Sequence, residues 1–292
     1  MSVSWASSSP EELRVHHARD AAKQAGALPG DVTETVLPAQ GDFRGGLLFA
    51  PRACAADTVV VYFHGGGFVA GSPETHRCVT AWLAQRAGLR VLSARYRLAP
   101  DHPFPAQLED AVAACRAALA MSDAADPPKL FLAGDSAGAC VALWGLRGLD
   151  RRTRAGVEGL VLFYGGYGLV EGDSIARYGT PDNGLDSETL SVMYGRLGEN
   201  GLTWPLDFAG EVIEPAYVLA AGLDAVFDDS ARLVQALGAA NPASRFVVAD
   251  GQDHGFLKGA GKDPVALREL DAAARWMAAL ARRSPEATAA QT

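Results

Sequence analysis

A serine between two glycines, directly after an apolar run, constrains this chain more than any other feature. Four apolar residues at 130–133 precede Gly-Asp-Ser-Ala-Gly at 134–138, and a stretch compatible with a helix follows at 139–149. This order is typical of a strand, a sharp turn and a helix, which hold a serine oxygen clear of the backbone around it. Glycine has no Cβ and relieves the crowding in such a turn. We therefore predict that Ser136 is a nucleophile; on this motif alone, a glycine-rich turn with an incidental serine stays open.

Strands and helices alternate along most of the sequence. Continuous apolar, β-branched and aromatic runs predict strands buried on both faces, and they lie at 58–63, 90–94, 129–133, 159–164, 216–221 and 245–249. Apolar residues at helical spacing predict helices, and these lie at 75–87, 107–120, 228–238 and 264–282. Such alternation is typical of an α/β protein whose mostly parallel sheet is covered by helices on both faces.

The N-terminal region predicts one helix and a pair of short strands. A capping box at 9–12 marks the start of the helix, which would run to about Gln24. The polar composition of this helix predicts a surface position, with the two adjacent histidines at 16–17 exposed to solvent. Two short strands follow at 33–38 and 43–50, and a Gly-Asp turn joins them.

The segment at 165–215 interrupts the alternation of strands and helices. Glycine, aspartate, proline and tyrosine are frequent in it, and its one helical pattern lies near 187–197. An insertion of this length in a compact α/β domain is usually functional, often as a lid. We therefore divide the chain into an N-terminal cap segment (1–40), a core (41–164 and 216–284), a cap insertion (165–215) and a tail (285–292).

Composition argues against several classes of protein. A net charge of −8 disfavours a surface that binds nucleic acid. No apolar run approaches the ~20 residues that span a bilayer, and the N-terminus lacks the pattern of a signal peptide. The four cysteines lack a metal-binding spacing and are expected to be small buried residues. We therefore predict no metal site, no membrane partner and a cytoplasmic location.

The sequence His-Gly-Gly-Gly-Phe at 64–68 directly follows the first buried strand, where ligand sites of α/β sheets lie. Successive glycines let backbone N–H groups approach a bound group and point at a developing negative charge. We predict an oxyanion hole formed by the N–H groups of Gly65, Gly66 and Ala137, the residue after the nucleophile. Gly67 is assigned to the turn itself.

His254 is the predicted general base. It comes shortly after the last predicted strand, and folds with this type of serine turn have the chain order serine, acid, histidine. The other histidines fit less well, because His64 belongs to the glycine loop and both His76 and His102 precede the serine.

Asp224 is the predicted acid, because it follows the strand at 216–221. Asp228 and Asp229 lie where the next helix begins, so their expected role is to cap that helix. Asp253 is adjacent to the base in sequence and is poorly placed to bond its ring. The acid, the base and the serine then complete a catalytic triad.

Four stretches together resemble a known family, and they lie at 64–68, 71–76, 96–106 and 134–138. The chain resembles the hormone-sensitive-lipase-like esterases of the α/β-hydrolase superfamily, the bacterial enzymes with a His-Gly-Gly-Gly motif, over about 45–257. Two departures stand out. The family's acid motif, Asp-Pro-Leu-x-Asp, reads Asp-Ala-Val-Phe-Asp at 224–228, and the cap at 165–210 matches poorly.

The resemblance implies an α/β-hydrolase fold with an eight-stranded, mostly parallel sheet and a helical cap. It also implies that 96–106 braces the site without taking part in the chemistry. The activity it implies is hydrolysis of small carboxylic esters through an acyl-enzyme, without a metal or organic cofactor. Amide, lactone or carbamate hydrolysis, a dehydratase and a small-molecule receptor stay open as alternatives. A homodimer could form through the edge strand at 245–249.

The cap is expected to limit the size of the substrate. Neither cap segment has the long apolar stretch of a lid that opens onto lipid, and both carry aromatic residues that can wall a finite pocket. We therefore predict a preference for short to medium acyl chains. The aromatic residues that contribute to such a wall are drawn from Trp5, Tyr164, Tyr167, Tyr178, Tyr194 and Trp204.

Overall fold

The computed structural model describes residues 4–121, 129–238 and 242–282. Within them, eight strands form one sheet in the order β1-β2-β4-β3-β5-β6-β7-β8. The strands are β1 (Val32–Leu37), β2 (Gly46–Pro51), β3 (Ala55–Phe63), β4 (Leu89–Ala94), β5 (Lys129–Asp135), β6 (Val157–Phe163), β7 (Ala216–Ala221) and β8 (Arg245–Ala249). Strand β2 pairs antiparallel with both β1 and β4, and the other five strand pairs are parallel, so the predicted mostly parallel sheet is confirmed.

Helices cover both faces of the sheet. The helices are α1 (Pro10–Gln24), α2 (Arg77–Ala87), α3 (Ala106–Ala120), α4 (Ala137–Gly148), α5 (Arg151–Arg154), α6 (Asp173–Tyr178), α7 (Ser187–Gly195), α8 (Pro205–Phe208), α9 (Phe227–Leu237) and α10 (Pro264–Ala281). Helices α3, α4 and α9 pack on one face, where Trp144 is fully buried, and α2 and α10 pack on the other, where Met277 is fully buried. Burial of these two apolar layers is the main source of stability.

The register of the parallel strands determines where the loops meet. Phe63 at the end of β3 lies beside Gly134 near the end of β5, and Ala221 at the end of β7 lies beside Ala249 at the end of β8. The glycine loop, the serine turn and the loops after β7 and β8 therefore leave the same edge of the sheet. Ligand sites of parallel sheets lie at this edge.

The N-terminal helix begins at the predicted residues, but one of its two histidines is buried instead of exposed. Ser9 and Glu12 form the expected capping box, with the Glu12 carboxylate accepting from the Ser9 N–H at 2.9 Å. Leu13 is fully buried beneath the helix, and His17 on the same face is only 7 % exposed. The prediction that both histidines are solvated is therefore wrong for His17, because the one-turn spacing from Leu13 places it on the inner face.

The cap insertion contains more helix than its sequence pattern indicated. The predicted helix at 187–197 is confirmed as α7, whereas α6 and α8 were not foreseen. These two helices have six and four residues, too few for an apolar period to be recognised. Of the cysteines, three are buried as predicted and Cys54 is exposed. The predicted tail at 285–292 lies outside the described residues.

The 96–106 stretch is tied to the loops around it by polar contacts. The Tyr96 hydroxyl donates to the His64 carbonyl at 2.7 Å. The Asp110 carboxylate on α3 accepts from the Arg97 backbone N–H at 2.8 Å, from Arg97 Nε at 2.9 Å and from Arg44 Nε at 3.0 Å. One buried carboxylate thus joins α3 to the loop after β4 and to the loop before β2.

Loss of the Asp110 carboxylate should destabilise the fold. Asp110 is 2 % exposed, so Asp110→Ala removes the acceptor of two guanidinium Nε groups and of one backbone N–H, and we expect a cost of about 3 kcal/mol. Glu109→Ala is the matched control, because Glu109 pairs with the same Arg97 but is 58 % exposed, and it should cost less than about 1 kcal/mol. Urea unfolding of both variants measures the difference. Equal costs would contradict a bracing role for Asp110.

Candidate active site

The serine turn brings two backbone segments into very close approach. A Cβ on Gly138 would lie 2.0 Å from the Phe63 carbonyl oxygen, and a Cβ on Gly134 would lie 2.3 Å from the Gly138 carbonyl oxygen. Both positions therefore need glycine for lack of space. Ser136 between them has a φ of 53°, a conformation that is uncommon for a residue with a side chain. Its N–H donates to the Phe163 carbonyl at 2.9 Å, which helps to hold this geometry.

Ser136, His254 and Asp224 form a continuous chain of hydrogen bonds. His254 Nε2 lies 2.8 Å from Ser136 Oγ, and His254 Nδ1 lies 2.8 Å from Asp224 Oδ2. The other oxygen of the buried Asp224 accepts from the Val226 N–H at 3.0 Å. With the Nδ1 proton shared with the carboxylate, Nε2 is free to accept a proton from the serine. The structure thus brings together the three residues predicted from the sequence.

The two rival carboxylates have another role than the one expected. Asp228 accepts from the Ser174 N–H at 3.0 Å, and Asp229 accepts from the N–H groups of Tyr167 and Leu169. Neither caps its own helix, because α9 begins before them and both lie in its first turn. The capping prediction is therefore wrong: these side chains fasten the cap insertion to the core.

Asp229 is buried close to the other two acids. Burial raises its pKa to about 7, and the charges of Asp224 and Asp228 act in the same direction, against the hydrogen bonds from Tyr167 and Leu169. Its Oδ2 atom has no hydrogen-bond partner among the described residues. A neutral Asp229 is therefore favoured in the folded protein below about pH 7.

Gly65 does not have a free N–H group. Its N–H donates to the Asp135 carboxylate at 3.0 Å and lies 3.3 Å from His76 Nε2. The predicted use of Gly65 as an oxyanion donor is therefore not met, because a buried carboxylate already occupies this donor. One signal for this contact is present in the sequence, because Asp135 stands directly before the serine, where a carboxylate can reach the adjacent glycine loop.

Gly66, Gly67 and Ala137 line the cavity in front of the serine. Among the residues that the structure describes, their N–H groups donate to no protein acceptor. Gly66 has a φ of 124°, a backbone conformation that a residue with a Cβ rarely adopts. Gly67, which the sequence argument assigned to the turn alone, therefore joins Gly66 and Ala137 as a potential donor to an oxyanion.

Asp135 forms the centre of a buried polar cluster behind the glycine loop. Besides Gly65, it accepts from the Tyr62 hydroxyl at 2.7 Å and contacts His76 Nε2 at 3.2 Å. Burial opposes its charge, but the attraction of His76 and the hydrogen bonds outweigh burial and hold the pKa of Asp135 below its usual range. Burial also lowers the pKa of the nearby His64 to about 3, so His64 stays neutral. Sequence reasoning did not assign a role to Asp135 or His76.

The serine faces a small cavity of about 230 Å³. Two of the aromatic residues named from the sequence, Trp5 and Tyr194, lie on its wall. Trp204 packs behind Tyr194 with ring centroids 4.7 Å apart, while Tyr164 and Tyr167 are buried in the core. Further wall residues come from the cap insertion, and they are Leu185, Leu190 and Met193.

The described part of the chain has no cluster of three or more His, Cys, Asp or Glu side chains that could hold a metal ion. It also has no helix that is long and apolar enough to cross a bilayer.

Comparison with known proteins gives the same picture as the geometry. The family described as having the alpha/beta hydrolase fold matches residues 60–258. An acetyl esterase of Salmonella schwarzengrund is 31% identical over 222 residues, which are 72% of this chain and 68% of the relative. This chain belongs to the α/β hydrolase family.

Solved structures of similar fold match nearly the whole length of this α/β hydrolase. An esterase from Pyrobaculum calidifontis has a TM-score of 0.80 and 26% identity, covering 94% of this chain and 93% of its own. An esterase from the bacterial hormone-sensitive lipase family has a TM-score of 0.79 and 27% identity, covering 94% and 91%. The resemblance to hormone-sensitive-lipase-like esterases is confirmed.

The buried Asp229 should make the stability of this α/β hydrolase depend on pH. Its pKa is near 3.9 when unfolded and about 7 when folded, so between these values only the folded state holds the proton. Stability from this residue is therefore complete below about pH 4 and is lost as the pH rises to about 7, by up to about 1.4 kcal/mol per pH unit.

Asp229→Asn removes this titration and keeps an oxygen that can accept from Tyr167 and Leu169. The stability of the variant relative to the wild type should therefore rise between pH 5 and about 7 and then level off. Urea unfolding of both proteins at pH 5, 6, 7 and 8 measures this difference. A difference that stays constant across the range would contradict the titration.

Proposed function

We propose that this member of the esterase family hydrolyses carboxylic esters of short to medium acyl chain through an acyl-enzyme on Ser136. The observation that carries the proposal is the pair of 2.8 Å contacts from Ser136 to His254 and from His254 to Asp224. Acyl transfer by this mechanism requires a nucleophile that is hydrogen-bonded to a base, and a base that is oriented by an acid.

The first half of the reaction forms the acyl-enzyme. His254 Nε2 accepts the Ser136 proton while the serine oxygen attacks the ester carbonyl, and Asp224 stabilises the resulting imidazolium. The tetrahedral intermediate collapses as His254 gives the proton to the leaving alcohol oxygen. In the second half, His254 accepts a proton from a water molecule that attacks the acyl-enzyme. The carboxylic acid leaves as the proton returns to Ser136.

The negative oxygen of the tetrahedral intermediate would be stabilised by backbone donors. We assign this role to the N–H groups of Gly66, Gly67 and Ala137, which border the cavity beside the serine. Such donors typically contribute 10²–10³ in rate each when they are fixed before the reaction. The polar cluster around Asp135 supports the assignment, because it fastens Gly65 and thereby the start of the loop.

The proposed substrate size rests on the volume and lining of the cavity. A space of about 230 Å³ is smaller than the ~300–1,000 Å³ of sites that hold drug-sized ligands. Trp5 and Met193 narrow it beside the glycine loop, since a Cβ on Gly67 would lie 2.5 Å from Met193 Sδ and 3.6 Å from the Trp5 ring. The curated relative named acetyl esterase acts on a substrate class that would fit such a space.

Three further assignments stay predictions. They are the division into cap segments and core, the cytoplasmic location, and a homodimer through β8. The last is supported by the position of β8 at the edge of the sheet, where Phe246 and Val248 are exposed.

Removal of the nucleophile tests the proposal directly. Ser136→Ala should abolish nearly all hydrolysis of p-nitrophenyl butyrate and leave the thermal unfolding transition in place, because the change deletes one oxygen. A fluorophosphonate probe should label the wild type once, and peptide mass spectrometry should locate the label on Ser136. Label on another serine, or undiminished turnover by the variant, would overturn the assignment.

A second pair of variants separates the acid from its neighbour. Asp224→Asn should lower kcat by roughly 10³–10⁴-fold, because the imidazole loses the group that orients and stabilises it. Asp228→Asn is the matched control: it changes a carboxylate that contacts Ser174 instead of His254, so kcat should change only a few-fold. The reverse result would mean that Asp228 is the acid.

Truncation of the cavity wall should shift the preference for acyl length. Trp5→Ala opens space beside Gly67 and Gly184, so each further methylene that becomes buried should gain about 0.8 kcal/mol. The ratio of kcat/KM for p-nitrophenyl octanoate to that for the butyrate should rise at least several-fold. Val15→Ala, on the exposed side of α1, should leave the ratio unchanged. An unaltered ratio in Trp5→Ala would show that Trp5 does not limit acyl length.

A further inference from the structure

A lysine that the catalytic steps do not use lies on the wall of the same cavity. Lys258 belongs to the short helical turn Phe256–Gly259, just after His254 in the chain. Its Nζ atom lies 3.6 Å from the position that a Cβ on Gly255 would occupy, and Gly255 is the residue next to His254. Because Lys258 lines the same cavity as Ser136 and His254, its side chain borders the space where the proposed ester would bind.

Lys258 has no carboxylate partner among the residues that the structure describes. Its one hydrogen bond runs from Nζ to His17 Nε2 at 3.3 Å, and no Asp or Glu oxygen of these residues lies within ion-pairing distance. Asp135 also lines the cavity, but its oxygens already accept from Tyr62 and Gly65 and contact His76. A charge that faces an enclosed space without a counter-ion is costly.

The imidazole beside Lys258 does not compensate this charge. Burial and the neighbouring ammonium lower the pKa of His17 well below its usual value, so the ring is neutral. Because Nε2 accepts from Lys258, the proton of the neutral ring lies on Nδ1, and this buried nitrogen has no partner among the described residues. The Lys258 ammonium therefore keeps N–H groups without an acceptor, and the His17 Nδ1–H also has none, among the described residues.

We propose that Lys258 binds a carboxylate carried by the ester substrate, and that esters with an acidic group are the preferred substrate class of this site. This inference rests on the proposed esterase function. Two kinds of ester carry such a group: half-esters of dicarboxylic acids have it on the acyl side, and acyl esters of hydroxy acids have it on the alcohol side. A charge-assisted hydrogen bond in an enclosed site gives either kind a measurable advantage over a neutral analogue.

A different role for Lys258 predicts a different result. If the ammonium only balanced the more distant charge of Asp135, its loss would disturb the glycine loop and slow every ester to the same extent. If it binds the substrate, its loss slows only the acidic esters. The comparison of acidic and neutral substrates therefore separates the two roles.

The test measures the hydrolysis of two matched pairs of substrates at pH 8 by pH-stat titration. On the acyl side, monoethyl succinate is compared with the ethyl ester of succinamic acid. On the alcohol side, acetoxyacetate is compared with acetoxyacetamide. Each pair is measured with the wild type, with Lys258→Met and Lys258→Gln, and with Lys258→Arg as the variant that keeps the charge; Ser136→Ala supplies the blank.

We expect the wild type to favour the acid over the amide by about tenfold or more in kcat/KM in one of the two pairs, which also identifies the side that Lys258 serves. Lys258→Met and Lys258→Gln should lose this preference and keep their activity on the neutral ester within about twofold, and Lys258→Arg should retain part of it. Equal loss on neutral and acidic esters, or no preference for either acid in the wild type, would overturn the inference. In the second case, turnover of the neutral esters would leave the esterase function standing.

Discussion

The geometry of the site depends most on the hydrogen bonds of the buried Asp135 carboxylate. This carboxylate stands directly before the nucleophile and joins three other segments: Tyr62 at the end of β3, Gly65 in the glycine loop and His76 at the start of α2. Because a buried charge is tolerated only when it is well bonded, this group enforces the relative positions of these segments. The serine turn and the glycine loop are thereby fixed against each other before a substrate arrives.

The fold and the triad could be predicted from the sequence because both depend on local patterns. Buried parallel strands appear in the sequence as continuous apolar runs. The close approach of Gly138 to the Phe63 carbonyl requires a glycine at that position. The chain order of serine, acid and histidine then limits the choice of partners to the loops after β7 and β8. Asp224 and His254 are each the first well-placed candidate in those loops, and the register of the two strands brings them together.

The sequence-based predictions were wrong where a residue contacts another that is distant in the chain. Nothing in the local sequence distinguishes an N-cap aspartate from Asp229, whose partners lie some sixty residues earlier in the chain. Gly65 and Gly67 stand in one run of glycines, and only the tertiary contact with Asp135 decides which N–H group is already engaged. His17 looked like a surface residue because α1 is polar overall, yet its ring stacks on His76 beneath the helix. Long-range polar contacts of this kind leave no periodic signal.

The groups that perform the chemistry and the groups that enclose the substrate belong to different parts of the architecture. Ser136, Asp224 and His254 extend from loops at the edge of the sheet, whereas Trp5, Met193 and Tyr194 come from the N-terminal segment and the cap insertion. Mutations that reshape the cavity can therefore accumulate during evolution without disturbing the strained turn or the hydrogen-bond chain. This separation allows substrate preference to change with little risk to the groups that perform the chemistry.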